Sequence, residues 1–177
     1  MASSAPELSP RAREIVAAAR ELLETEGPEG LSMRRVADRL GIRAPSIYKH
    51  LPDKQALEAA VISEGFDELA AVFERAVRDA DEPVAALARA YRDHATRHPH
   101  LYRLMTERPL DRDRLTAGVE ERAARPLVEA VGGDEHAARA LWAFAHGMAI
   151  LELNGRFPAG ADLDAAWAKG VEAFRSG

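Results

Sequence analysis

Two stretches of the 177-residue chain hold side chains whose types and spacing could do chemistry. Between Arg34 and Lys54 stand six basic residues (Arg34, Arg35, Arg39, Arg43, Lys49 and Lys54) against the acidic Asp38 and Asp53, a local surplus of +4. Ser46 and Tyr48 add hydroxyls among these cations. Such a mixture suits phosphate oxygens and base edges. The second stretch holds His94, His98 and His100. Histidines four apart share a helix face, a spacing that a transition metal can use. No cysteine and no well-placed carboxylate completes that set, and a helix end favours cations on dipole grounds alone. The expectation there is no metal site.

Other chemistry lacks its residues. There is no glycine-rich phosphate loop, no His-Glu-x-x-His and no Gly-x-Ser-x-Gly elbow. The chain therefore reads as a non-enzyme with no catalytic residues and no resident cofactor. Cysteine is absent, which excludes disulfides and thiolate sites and suits a reducing cytoplasm. The first residues lack the apolar run of a secretory signal, and no apolar stretch is long enough to span a membrane. A cytoplasmic protein with no membrane partner is expected. The net charge of −5 would count against a nucleic-acid binder if it were spread evenly. From Ser63 onward, however, 15 basic residues face 20 acidic ones. A basic end on an acidic body allows DNA contact through that end only, although a solvated helical face would give the same count.

The elements that must hold these side chains are helical. Alanine, leucine, glutamate and arginine dominate, apolar residues recur at three and four, and no period-two strand is present. After a tail expected to be disordered over 1–9, helices are expected over 10–24, 32–40, 44–50, 54–80, 83–98, 101–106, 114–130, 135–154 and 162–174. Ser9 and Pro10 suit the start of the first. Ser32, Asp53, Asp134 and Asp162 are placed to cap later ones. Gly65 is a weak point in the long fourth helix, and Pro126 a kink further on. The expected fold class is all-α: an N-terminal three-helix helix-turn-helix domain over 10–60, joined by a long helix to a larger helical bundle over 61–177.

Residues 33–50 have the features of two short helices packed at a steep angle. Ala37 is small where the helices cross, Gly41 can take the positive φ of the reversal, and Val36, Leu40, Ile42 and Ile47 point inward. His50 stands near where a last apolar contact belongs, and Leu51 beside it is expected to supply that contact. Ala44, Pro45 and Ser46 open the second helix. Proline is tolerated in a first turn, and small residues let the helix tip approach base edges. A recognition helix presents its N-terminal residues to the major groove, so Arg43, Ser46, Tyr48 and Lys49 come within reach of bases or flanking phosphates. Lys54 opposes the dipole of the helix it begins. A phosphate held together with that helix's free N–H groups would give it a reason.

The segment GLSMRRVADRLGIRAPSIYKHLPDKQAL resembles the N-terminal DNA-binding domain of the TetR family of repressors. The family pattern is met by Ala37, Leu40-Gly41, Ser46-Ile47-Tyr48, Lys49-His50, Lys54 and Leu57, with Leu51 standing where an aromatic residue is common. The resemblance implies that Tyr48 and Lys49 touch phosphates or bases, that Lys54 clamps a phosphate and that Arg34 faces the DNA backbone. Arg43 and Ser46 are expected at base edges. The expected DNA-binding set is Arg34, Arg43, Ala44, Pro45, Ser46, Tyr48, Lys49, His50 and Lys54. Each of these taken alone also has a second reading as a solvated side chain.

Further on, ARALWAFAHGMAILELNGRFP is similar to the C-terminal domain type named for a Trp-His-Gly motif, here Trp142, His146 and Gly147. The residues themselves mark this helix as unusual. Leu141, Phe144, Met148 and Leu151 line one face, and Trp142, Ala145, Ala149 and Leu153 another. Such a helix must be buried on more than one side, and Gly147 would permit close approach of a neighbour. The resemblance implies a homodimer through the helix from Glu135 to Asn154 and the helix from Asp162 to Phe174, with Ala165, Ala166, Val171 and Phe174 completing a four-helix interface. A monomer with a fully internal helix is the other reading. A sensor also needs polar groups among apolar walls. Tyr91, His94, Tyr102, Met105, Trp142, Phe144, His146 and Met148 are the candidates for such a pocket, and each also reads as plain core.

The expected function is a ligand-responsive, sequence-specific transcriptional regulator: a repressor released from a palindromic double-stranded operator by a small-molecule effector. The alternative is a helical dimeric scaffold that no longer reads DNA. The intact basic window, Tyr48-Lys49 and Lys54 speak against it.

Overall fold

Helices in this chain start where a short polar side chain can take up N–H groups that a first turn leaves unbonded. In the computed structural model, which describes residues 8–174, Ser9 Oγ accepts from Ala12 N at 3.2 Å and Pro10 opens α1 (Pro10–Glu26). Gly27, at φ +71°, ends it. A 3-10 turn over Gly27–Gly30 leads to Ser32, whose hydroxyl accepts from Arg35 N to start α2 (Met33–Arg39). Then come α3 (Ala44–Tyr48) and α4 (Lys54–Val77), the latter capped by Asp53, which accepts from Ala56 N at 2.7 Å. Of the tail expected over 1–9, residues 1–7 lie outside the described residues, while Leu8 is half-buried against the core.

The chain continues through α5 (Pro83–Arg97), α6 (Pro99–Thr106), α7 (Val119–Ala130), α8 (Glu135–Leu153) and α9 (Leu163–Glu172). Asp134 caps α8 by accepting from His136 N and Ala137 N, and Asp162 caps α9 by accepting from Ala165 N. No strand occurs among the described residues, so the class is all-α. The helix expected from residue 114 starts late. A 3-10 turn covers Arg112–Arg114, and α7 begins only at Val119, after Gly118 at φ +77°. A positive φ breaks the α-helical run, and no pattern of apolar residues reports it.

The chain divides into two compact units. The first takes the residues up to Phe66 together with His98–Val119; the second takes Asp67–Arg97 and the residues from Glu120 onward. The first compact unit thus runs past the boundary expected at residue 60 and adds a second segment. Leu101, Met105, Leu115 and Val119 are buried in the same apolar cluster as Ile15, Leu23, Val36, Ile47 and Leu57, so α6 and the segment after it complete the head's core. Gly65 is a packing site rather than a weak point. A Cβ there would come 2.7 Å from Met105 Sδ and 3.2 Å from the Leu101 methyls.

In the second unit an arginine clasps α5, α8 and α9. Arg92 Nε and Nη2 donate to Glu152 at 2.8 and 2.9 Å, and Nη1 donates to Asp164 at 2.6 Å. The guanidinium lies 5.8 Å from the Trp167 ring centre, and Trp167 Nε1 donates to the same Glu152 at 3.3 Å. The Glu152 hydrogen bonds, ahead of those to Asp164, push the Arg92 pKa above its ordinary value. Among the described residues no helix is long and apolar enough to cross a membrane.

Candidate nucleic-acid interface

The head assembles as its residue types require. Val36, Ala37 and Ile47 are fully or almost fully buried between α1, α2 and α3, and Gly41 takes φ +64° at the reversal. Ile42 N donates to Ala37 O at 3.0 Å, closing the turn. Leu51 is buried and His50 exposed, so the last apolar contact comes from Leu51.

With the inner side of α3 committed to the core, its other side faces water. Arg43, Pro45, Tyr48, Lys49 and His50 are exposed, and Ala44 and Ser46 are half-buried. Tyr48 leaves 50 % of its surface in solvent. A large ring left out of a core is informative, because its burial would be favourable. Arg34 is exposed on α2, and Lys54 on the first turn of α4.

The six cations of the basic window are not equivalent. Arg35 is ion-paired with Glu26, and Arg39 donates to Glu21 at 2.5 Å. Both are tied back to the end of α1. Arg34, Arg43 and Lys49 make no ion pair among the described residues, so their charge is available to an anion. Sequence alone counts all six alike; the pairings need the return of α1 beside α2. Lys54 stands 3.4 Å from Glu58. Beside it, Asp53 has its pKa lowered, first by the hydrogen bond from Ala56 N and then by Arg114. Arg114 Nη1 donates to both Asp53 oxygens, at 3.1 and 3.2 Å. Neither Arg108, which reaches Glu58 at 3.6 Å, nor Arg114 was expected here, because both lie far along the chain.

The eight pocket candidates do not come together. Tyr91 lines an apolar cleft in the second unit with Phe73, Leu87, Ala88, Leu127, Leu141 and Ala145, and its ring stacks on Phe73 at 6.2 Å. The space enclosed there is only about 10 Å³. Leu87 with Tyr91, and Leu141 with Ala145, are spaced four apart. That signal marks shared helix faces but not which faces meet. His94 is buried in the same unit with Nδ1 3.8 Å from a Glu68 oxygen. Tyr102 and Met105 are buried in the first unit, where Met105 joins the head's core. Phe144 packs edge-on against Trp167 and beside Phe174, at 5.7 and 6.1 Å. Trp142 is 50 % exposed, with His146 stacked against it at 6.0 Å, and Met148 is half-buried.

The expectation that no carboxylate stands near the histidines fails as well. Glu68 faces His94, and Glu24 Oε1 lies 3.2 Å from His98 Nδ1. Each acid comes from an element remote in sequence.

On α8 the inward face is Ala138, Leu141, Ala145 and Ala149, all buried. Trp142, expected to share a face with Ala145 and Ala149, lies at the edge of that stripe with half its surface exposed, while Leu151, which is 41 % exposed, lies across the helix from it. Gly147 has open space where a Cβ would stand, so among the described residues no neighbour uses its small size. On α9, Trp167 and Val171 are buried, whereas Ala165, Ala166 and Ala168 are exposed.

A family model described as bacterial regulatory proteins, tetR family, matches residues 15–61, and one described as tetracyclin repressor-like, C-terminal domain, matches residues 84–174. An uncharacterized HTH-type transcriptional regulator of Mycobacterium tuberculosis is 32 % identical over 152 residues, spanning 80 % of this chain and 69 % of its own length. Another, of Bacillus subtilis, is 29 % identical over 176 residues, 92 % of this chain and 90 % of its own. Among solved structures, a protein of unknown function from Rhodococcus superposes with a TM-score of 0.78 at 29 % identity, covering 94 % of each chain.

Proposed function

Because the chain belongs to the TetR family of bacterial regulatory proteins, we propose that it sits as a homodimer on a palindromic operator and that a small molecule bound in its second unit releases it. It is a DNA-binding transcriptional regulator and not an enzyme. The observation that carries the finer reading is α3 itself. Its inner side is spent on the core at Ile47, and Arg43, Tyr48 and Lys49 stand exposed around its outer side with the two cations unpaired. Arg43 and Ser46 read base edges; Arg34, Tyr48, Lys49 and Lys54 hold phosphates. Nothing in the head favours a scaffold that has lost DNA.

The outward side of α8 that the exposed Trp142 flanks, with the exposed alanines of α9, is the surface we assign to the second copy. Two heads joined this way would meet half-sites about 34–36 Å apart, one helical turn. The effector is assigned to the cleft beside Tyr91. The cleft encloses only about 10 Å³, room for about one water and far below the roughly 300–1,000 Å³ of a typical ligand site. An effector must therefore widen it, and that preference for an opened state lets binding bias a two-state protein. Since α4 belongs to both units, its displacement would carry the change, with a coupling of about 1–3 kcal/mol. The regulator would act where DNA is, in the cytoplasm.

The experiment is binding of the full chain to DNA from upstream of its own gene and to scrambled DNA, across a salt series and with candidate effectors. Sequence-preferring binding weakened by an effector is expected. Equal, weak binding to both DNAs would overturn the operator reading, and affinity unchanged at saturating effector would overturn release.

A further inference from the structure

The first unit carries cations that the helix-turn-helix segment does not contain. The stretch between α6 and α7 lies against the start of α4. Arg108 Nη1 is 3.6 Å from Glu58 Oε1, and Lys54 Nζ is 3.4 Å from that same oxygen. The two cations can therefore be no farther apart than these distances laid end to end. Both are well exposed, at 62 and 51 %, while Glu58 is only 18 % exposed. A little further on, Arg114 covers Asp53. The acid that caps α4 and the acid on its second turn thus each face an arginine from the same stretch.

The energetics decide what Arg108 is for. An exposed ion pair of this length contributes only about 0–1 kcal/mol to stability, so the fold does not depend on it. A carboxylate beside a phosphate-holding lysine, in contrast, opposes phosphate binding. Two exposed cations sharing one carboxylate make a site whose partners can be exchanged: phosphate oxygens take the cations and Glu58 is left to water. The match to the family's DNA-binding model ends at residue 61, well short of Arg108.

We propose that Arg108 is a second DNA-phosphate contact, paired with Lys54 and supplied from outside the helix-turn-helix, and that Glu58 holds both cations until DNA displaces it. This rests on the DNA-binding reading of the head. The contact is to backbone and carries no sequence preference.

The test uses the full chain and a random-sequence DNA duplex, with binding followed by fluorescence anisotropy from about 50 to 200 mM salt. Losing one phosphate contact flattens the slope of log K against log salt by about 0.9 per protomer. R108A should show that loss and R108K should keep most of the slope, with both retaining the parent's helical content. E58Q should bind several-fold more tightly. R108A with an unchanged slope, while K54A flattens it, would overturn the role of Arg108 and leave the head's DNA binding standing. No salt-dependent binding by the parent protein would overturn both.

Discussion

Replacing Trp142 with alanine should dissociate the proposed dimer without unfolding the protomer. Half of the Trp142 surface is exposed in the single chain. A tryptophan carries up to about 250 Å², so about 125 Å² is left for a partner to cover. At about 25 cal/mol per Å² that area contributes about 3 kcal/mol. A two-fold interface uses the residue twice, giving about 6 kcal/mol for the pair. Each 1.4 kcal/mol is about tenfold in a dissociation constant, so the ceiling is about ten-thousand-fold. Interface area converts to affinity incompletely, and alanine keeps its Cβ, so a weakening of about 10²- to 10⁴-fold is expected. Sedimentation velocity over a concentration series measures it, with circular dichroism as the control for folding. DNA affinity should fall in step, because a monomer holds one half-site. A folded W142A whose dimer dissociation constant moves less than about threefold would refute the assignment of this face.

Other outcomes follow from the packing and the caps. R92M leaves Glu152 without its bidentate partner and unclasps α9. Both side chains keep about a fifth of their surface exposed, 23 and 20 %, so the cost should be about 2–3 kcal/mol, below the ~3–5 of a fully buried pair; urea unfolding measures it, and a loss under 1 kcal/mol would mean that solvent replaces the clasp. G170A sets a Cβ into the Phe144 ring. Rearranging Phe144 against Trp167 and Phe174 should cost about 1–3 kcal/mol and lower the melting temperature, whereas an unchanged melt would show that the ring is free to move. Asp53 is held below its ordinary value of 3.8 by Ala56 N and then Arg114. A lowered folded pKa stabilises at pH above 3.8 and that stability is lost as pH falls through the lowered value. D53N should therefore flatten the acid side of the urea-midpoint profile, and parallel profiles for the two proteins would rule Asp53 out as a contributor.

What could be read from residues in order was what neighbouring residues decide. Ser9, Ser32, Asp53, Asp134 and Asp162 each cap a helix, because a capping bond closes within three residues and needs nothing distant. Ala37, Gly41 and Ile47 took their places for the same reason: the helix-turn-helix is a local motif whose spacing is its geometry. The all-α class and the exposed residues of α3 followed from those signals.

The tertiary structure alone decided which of these local pieces meet. It returned Leu101, Met105, Leu115 and Val119 to the head's core and turned Gly65 from a weak point into a packing site. It also tied Arg35 and Arg39 back to α1, set Arg108 and Arg114 on the acids of α4, and closed a cleft around Tyr91 while turning Trp142 outward. The physical reason is common to all of them. Apolar burial is non-directional and surface ion pairs are weak, so a side chain's type states that it will be covered or paired but not by what. That choice belongs to the whole set of helices packing at once.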